Sequence, residues 1–239
     1  MSHTRTSSKA SLAERQSAPA TEAVEDYAKA IYGLQRYEEG PVTTTALSER
    51  LGVAPSSVTA MLKRLDELGL VRYEPYHGVT LTAAGEKVAL EVIRHHRLIE
   101  AFLADALGMP WDRVHDEAEV LEHYISEDLE RLIADKLGNP PLDPHGDPIP
   151  TPELAIAVDH TTALDQLQAG ALATFARVSD SDPRMLRYLD ERGIRPGVAL
   201  RVTDVQPFGG PVFVEVDGKE HALGGELAEK MRVEPAGSA

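Results

Sequence analysis

The spacing of apolar residues divides the chain into a helical first part and a strand-rich final third. Residues 24–37 carry apolar side chains at helical intervals. Two short amphipathic segments follow, TTTALSERLGV and PSSVTAMLKRLDELG, joined by a glycine-containing turn. LVRYEPYHGVTLT then alternates as two short strands around a turn. A helix-turn-helix followed by a hairpin predicts a winged helix.

Two long helical stretches and a set of strands complete the pattern. The helical stretches are interrupted at Gly108 and end before Gly138. Residues 139–152 contain six prolines, so we predict a rigid, exposed connection there. Beyond it four segments alternate like strands and predict a small β-barrel of about 75 residues: LATFARV, VALRVTDV, VFVEVDG and EHALG.

Composition narrows the class of protein. The chain has 239 residues, 42% of them hydrophobic, and no cysteine, which excludes disulfides and thiolate chemistry. A formal net charge of -15 argues against a protein that coats nucleic acid, although a local DNA-reading surface remains compatible with it. With neither a signal-like segment nor a long apolar run, we expect a soluble cytoplasmic protein without membrane association, whose residues 1–21 form a disordered tail.

The most informative segment is HDEAEVLEH, from His115 to His123. If it is one helix, four possible metal ligands fall within about 100° of one face: His115, Glu119, Glu122 and His123. His96 and Glu100 repeat the spacing of four on the preceding helix. Charged helix faces with such pairs also occur without metal. The two clusters together favour a metal site.

The donor atoms restrict the choice of metal. Imidazole nitrogen and carboxylate oxygen serve soft Cu(I) poorly, whereas Mn(II), Fe(II), Co(II) and Zn(II) all remain possible. Selectivity for manganese would require hard ligands and a high coordination number, which three carboxylates and one imidazole supply.

The chain resembles the diphtheria toxin repressor (DtxR/MntR) family of metal-dependent transcriptional regulators. The resemblance covers about residues 22–236 and rests on four segments: EDYAKAIYGL, PSSVTAMLKRLDELGLV, HHRLIE and HDEAEVLEH. It implies a mainly α fold with small β parts. The expected domains are a winged-helix DNA-binding domain (22–82), an all-α dimerisation and metal-binding domain (83–138), a proline-rich linker (139–160) and an SH3-like, FeoA-type barrel (161–236).

The resemblance also implies two metal sites per subunit. The primary site falls on Asp26 of the first helix with Glu119, Glu122 and His123. The iron-responsive branch of the family has Met and Cys where this chain has Asp26 and Glu119, so these residues resemble the manganese-responsive branch. Compact manganese regulators carry a glutamate where this chain has Lys29, which argues against a binuclear site of the compact type.

The ancillary site implied by the resemblance comprises His96, Glu100 and His115. An acidic residue of the barrel completes it, for which Asp180 is the first choice and Asp182 the second. The remaining histidines receive no role. His95 is predicted to point away from His96 into solvent, and the others have no carboxylate at helical spacing: His3, His77, His145, His160 and His221.

Hydroxyl and cationic side chains gather around the two helices of the helix-turn-helix, where they suit phosphate oxygens and base edges. The candidate DNA contacts are Thr43, Thr44, Ser56, Ser57, Thr59, Lys63 and Arg64. Small helical pairs followed by hairpins also occur without DNA. The side chains favour a DNA-binding protein.

The predicted function is a Mn(II)-activated repressor, a homodimer that binds palindromic operator DNA and controls genes of metal uptake or homeostasis. Two Mn(II) ions per subunit are expected, and no small organic substrate. Three alternatives stay open. They are a Fe(II)-responsive member of the same family, a metal-independent winged-helix regulator and, more distantly, a metallohydrolase. The sequence lacks an H-E-x-x-H motif, so we predict that the protein is not an enzyme.

Overall fold

A computed structural model of the chain describes residues 18–36 and 40–236. The chain divides into two compact units, Met1–Val92 and Ile93–Ala239. The tail was predicted to comprise residues 1–21. Residues 1–17 of it lie outside the described residues, and residues 18–21 belong to the first helix, which begins at Ala18.

Three helices form the core of the first unit. They are α1 (Ala18–Gln35), α2 (Thr44–Leu51) and α3 (Pro55–Glu67). Ile31, Leu47 and Leu62 are fully buried where these helices pack. The hydroxyl of Thr43 caps α2 by accepting from the backbone N–H of Ala46 at 3.1 Å, and Pro55 begins α3. The helix-turn-helix prediction is confirmed.

A two-stranded hairpin follows, with β1 (Val71–Glu74) antiparallel to β2 (Gly78–Leu81). The hairpin is anchored on the loop before α2, because Val42 and Val79 exchange backbone hydrogen bonds of 2.9 Å. Gly78 has a φ of 104°, and a Cβ there would lie 2.7 Å from the carbonyl oxygen of Val42. The close approach of loop and hairpin therefore requires glycine.

The next helix, α4 (Ala83–Ala101), begins in the first unit and ends in the second. Thr82 caps it, since its Oγ1 accepts from the N–H of Gly85 at 3.2 Å. A π-helical turn (Phe102–Ala106) extends α4, and two shorter helices follow, α5 (Val114–Leu121) and α6 (Glu127–Leu137). The helical domain predicted from periodicity is therefore present.

The proline-rich segment corrects a prediction. We expected residues 139–152 to be exposed, but Asp143, His145 and Ile149 are buried. Arg94 and Arg97 of α4 donate hydrogen bonds of 2.6 Å to the carbonyls of proline residues 150 and 148 in this segment. Prolines leave their carbonyl groups free to accept, so a segment that cannot form helix or sheet still packs against a helix.

The remainder of the second unit is a six-stranded antiparallel sheet in the order β3-β8-β4-β5-β6-β7. Its strands are β3 (Thr162–Ala163), β4 (Leu172–Val178), β5 (Ala199–Val205), β6 (Val212–Val216), β7 (Lys219–Leu223) and β8 (Met231–Pro235). Helices α7 (Pro183–Asp190) and α8 (Gly225–Lys230) lie between strands. Register shifts in β4 and β5 give the bulges that curve a sheet.

The sheet encloses a core that also receives a residue from the helical part. Trp111 is 2% exposed and belongs to the same buried cluster as Phe175 and Val214. Among the described residues, no helix combines the length and apolar character needed to cross a membrane.

Candidate metal centre

The four residues predicted for the ancillary site come together in the second unit. α4 carries His96 and Glu100 one turn apart, α5 carries His115 in its first turn, and Asp180 follows β4 in the loop before α7. One ligand atom from each of these residues lies within 4.8 Å of the others.

Glu100 lies at the centre of this group and is fully buried. Its Oε1 is 3.1 Å from Nε2 of His96 and 3.5 Å from Nδ1 of His115. The same Nδ1 of His115 is 2.9 Å from Oδ2 of Asp180. Two imidazoles and two carboxylates from three separate elements therefore face one point.

The donor set fits a divalent cation. Both carboxylate oxygens of Glu100 and Nδ1 of His115 are buried without a hydrogen bond of acceptable geometry. A buried carboxylate without hydrogen bonds is costly, and a cation bound to it removes that cost. Oxygen and imidazole donors at this density are typical of Mn(II), Fe(II) and Zn(II) sites.

The charged members of this group shift one another's pKa values strongly. Burial alone would lower the pKa of His115, but the carboxylates of Asp180 and Glu100 outweigh it and raise that pKa to about 10. Burial would raise the pKa of Asp180, but His115 outweighs it and lowers that pKa to about 2. Without metal, a proton on His115 balances part of the negative charge of these carboxylates, so metal binding to this imidazole must displace that proton.

Sequence reasoning missed His145, to which it gave no carboxylate partner. His145 is 1% exposed, its Nε2–H donates to the carbonyl of Trp111 at 2.7 Å, and its Nδ1 lies 3.7 Å from Oε1 of Glu100. Asp143 is also buried and forms a close group with these two residues. That carboxylate partner, Glu100, is 45 positions away on α4, whereas His145 lies on the proline-rich segment, so helical spacing gave no signal.

The second group of candidate ligands lies where α5 ends. HDEAEVLEH is not one continuous helix, because α5 stops at Leu121, Glu122 is its C-cap and His123 lies in the following turn. His115, Glu119 and Glu122 keep the predicted spacing, because Glu122 retains helical dihedrals and donates its N–H to the carbonyl of Ala118; Nε2 of His115 lies 3.7 Å from Oε1 of Glu119. The prediction of four ligands on one helix face was therefore wrong for His123.

His96 connects the two groups. Its Nδ1 lies 2.5 Å from Oε2 of Glu122 and 3.7 Å from Oε1 of Glu119, while its Nε2 faces Glu100. A single imidazole thus contacts ligands predicted for both sites.

The neighbouring His95 is not solvated as predicted. Its side chain is only 13% exposed, its Nδ1 donates to the carbonyl of Glu122 at 3.3 Å, and its Nε2 lies 3.1 Å from Oε2 of Glu130. Glu122 is therefore contacted by both histidines of the HHRLIE segment.

The other predicted residues belong to the first unit. Asp26 lies on α1. Side chains at the start and along α3 are exposed, as a DNA-contacting surface requires: Ser56, Ser57, Lys63 and Arg64. Thr59 is half-buried and its hydroxyl donates to the carbonyl of Pro55 at 3.0 Å. Before and at the start of α2, Thr43 serves as the N-cap and Thr44 is half-buried.

Three family models match in chain order. The "Iron dependent repressor, N-terminal DNA binding domain" covers residues 20–79, and the "Iron dependent repressor, metal binding and dimerisation domain" covers residues 82–151. The "FeoA domain" covers residues 162–235. The iron-dependent repressor IdeR of Mycobacterium tuberculosis is 34% identical over 88% of this chain and 96% of its own length. This chain belongs to the iron-dependent repressor family.

Other proteins similar to this repressor-family chain include a second transcriptional regulator and a solved manganese-dependent repressor. The transcriptional regulator MntR of Lysinibacillus sphaericus is 37% identical over 48% of the chain and 81% of its own length. A solved structure described as a manganese-dependent transcriptional repressor in complex with manganese has 41% identity and a TM-score of 0.84. The match covers 89% of this chain and 100% of that one.

Family membership confirms several predictions. The fold is a winged helix followed by a helical dimerisation domain and an SH3-like domain. Members of the family are metal-dependent transcriptional repressors rather than enzymes, so the metallohydrolase alternative is rejected.

Proposed function

We propose that the chain is a Mn(II)-activated repressor that controls genes of metal homeostasis in the cytoplasm. The observation that carries the proposal is the buried group around Glu100. Both oxygens of Glu100 and Nδ1 of His115 lack hydrogen bonds, and the donor atoms of the group are all hard or borderline. A divalent cation supplies the positive charge that lets these carboxylates lie together without protons.

We propose two Mn(II) ions per subunit. The ancillary ion is held by His96, Glu100, His115 and Asp180. Support comes from the 4.8 Å grouping of their ligand atoms. His145 is a further candidate donor, because its Nε2–H is occupied by the Trp111 carbonyl and its Nδ1 faces Glu100.

The primary ion is held by Glu119, Glu122 and His123 with Asp26 of the first helix. Support for Asp26 is its position in the EDYAKAIYGL segment, and support for the other three is their grouping at the end of α5. Without a cation the three carboxylates repel one another, so metal binding favours the state in which α1 is ordered against the dimerisation domain.

The DNA partner is proposed to be a palindromic operator. A dimer presents two α3 helices related by twofold symmetry, and each would enter a major groove through Ser56, Ser57 and Lys63. Dimerisation is supported by large apolar side chains that are 43–67% exposed on α5, α6 and the turn between them: Val120, Leu121, Tyr124, Leu129 and Leu132.

A titration of operator binding tests the proposal. Fluorescence anisotropy of labelled operator DNA should show tight binding with Mn(II) and none with chelator. Operator DNA should in turn tighten Mn(II) binding, since the coupling between two ligands is reciprocal. Equal DNA affinity with and without chelator would refute metal activation and support the metal-independent alternative.

A Fe(II)-responsive repressor is the second candidate, and its support is the 34% identity to IdeR over nearly the whole chain. Anaerobic Fe(II), Mn(II) and Zn(II) titrations of the wild type separate the two. The double variant Asp26→Met with Glu119→Cys should shift activation from Mn(II) toward Fe(II), because thioether and thiolate ligands disfavour Mn(II). If the three metals activate the double variant in the same order of potency as the wild type, this account of selectivity is refuted.

A further inference from the structure

Two ligands of the proposed primary site lie at the end of a helix and in the turn that follows it. α5 ends at Leu121, and the last regular hydrogen bond runs from the N–H of Glu122 to the carbonyl of Ala118 at 2.9 Å. The directions of the Glu122 and His123 side chains therefore depend on the backbone of the turn between α5 and α6.

The carbonyls at the end of a helix have no partner within the helix. The carbonyl of Glu122 is one of these, and it accepts a hydrogen bond of 3.3 Å from Nδ1 of His95 on α4. Histidine at this place satisfies an end carbonyl and suits the negative end of the helix dipole. The turn is thus attached to α4 by a side chain.

His95 is itself held on its other side. Its Nε2 lies 3.1 Å from Oε2 of Glu130, which belongs to the first turn of α6. The second oxygen of Glu130 accepts from Nε of Arg94 at 2.5 Å, and Arg94 also donates to the carbonyl of Pro150. The Arg94, His95 and Glu130 side chains are 9%, 13% and 16% exposed, so the network is shielded from water.

We propose that His95 is a positioning residue for the primary metal site. Together with Glu130 it fixes the turn that presents Glu122 and His123, while the adjacent His96 contacts the carboxylate of Glu122 from the same helix. The inference rests on the proposed function, since it concerns the ligands of that site. The partners that orient ligands commonly change metal affinity by about 10- to 100-fold when they are removed.

The test is a Mn(II) titration of the full chain against a competing chelator, with both sites fitted. His95→Leu and Glu130→Gln should each weaken the primary site about 10-fold and change the ancillary site less than about twofold. His95→Gln keeps a donor for the carbonyl and should retain most of the primary affinity. Glu127→Gln removes an exposed carboxylate from the same turn of α6 and is the matched control.

A second measurement separates positioning from general stability. The electron paramagnetic resonance spectrum of the primary Mn(II) should broaden in His95→Leu, because the ligand geometry becomes less uniform, and should be unchanged in Glu127→Gln. Thermal unfolding with chelator identifies any variant that is simply unstable.

Unchanged primary affinity in His95→Leu and Glu130→Gln would overturn the inference alone. Equal weakening of both sites, in proportion to a lowered melting temperature, would also overturn it. A wild-type chain that binds no Mn(II) would refute the proposed function and this inference with it.

Discussion

The two candidate metal sites differ in how their ligands are assembled. The ancillary group draws all of its ligands from the second unit, and they already lie together around the buried Glu100. The primary group, as proposed, takes Glu122 and His123 from the end of a helix and the following turn of that unit, and Asp26 from the first unit. A site formed within one unit can serve affinity and stability. A site that needs a residue from a separate unit can serve as the switch.

The strongest way to break this comparison is to remove a ligand of the proposed switch. Glu119→Gln should weaken Mn(II)-dependent operator binding by about 100-fold, equivalent to about 2.7 kcal/mol, while the ancillary site keeps its ion. Glu119 is 39% exposed at its side chain, so the variant should fold.

Glu117→Gln is the control for that experiment, since it is exposed on the same helix. Operator binding that is equally reduced in both variants would contradict a specific role for Glu119.

Removing the ancillary ligand supplied by the barrel should have a smaller effect. Asp180→Asn should reduce the Mn(II) stoichiometry from two ions to one and raise the Mn(II) concentration needed for operator binding by about 10-fold. Equilibrium dialysis and the anisotropy titration measure the two quantities.

The chain offers a control two residues away. Asp182, the second choice from the sequence, accepts from the N–H of Arg184 at 2.9 Å and caps α7. Asp182→Asn should keep both ions. Loss of an ion in Asp182→Asn but not in Asp180→Asn would reverse the assignment.

The comparison is sharpened by breaking the ion pairs that join strand β4 to residues 147 and 159. Arg177 is 8% exposed at its side chain, lies 3.2 Å from Asp147 and also pairs with Asp159. Arg177→Met should lower the free energy of unfolding by about 1–3 kcal/mol, measured by urea denaturation with chelator, because Asp159 loses its cation and Asp147 keeps only Arg97. Mn(II) affinity of the primary site should not change, and a matching loss there would show that the two sites do not act separately.

The smallest effect concerns pH. The pKa of His115 is raised to about 10 in the folded chain from an ordinary 6.5. A raised pKa stabilises the fold fully below pH 6.5 and loses that contribution as the pH rises through 10. Without metal, the melting temperature of the wild type should therefore exceed that of His115→Gln by a few degrees near pH 6, about the shift expected for 1 kcal/mol. The gap should close toward pH 10, and a constant gap would contradict this origin.

Much of the fold and part of the site followed from local spacing. The helix-turn-helix, the hairpin and four barrel strands were predicted, because their apolar periods are regular and their ends carry capping or turn residues. The pairs His96–Glu100 and His115–Glu119 were predicted because a helix brings residues four apart together. Asp180 was predicted from the family resemblance and not from a helical or strand periodicity.

The rest was missed because it depends on contacts between distant segments. His145 reaches Glu100 from a proline-rich segment, and His95 reaches Glu130 across two helices. Neither pair has a periodic signal. The end of α5 at Leu121 was also missed, since neither glycine nor proline marks it, and the short strands β3 and β8 carried too few alternating residues to be recognised.

Trp111 makes the barrel a poor candidate for modular exchange. It precedes α5 in the helical part, yet its side chain is buried among barrel residues. A chain cut after residue 152 would leave an indole and part of its surroundings in water, and a transplanted barrel would carry a hole of the same shape. Recombination within this family should therefore succeed only when the segment containing Trp111 travels with the barrel that receives it.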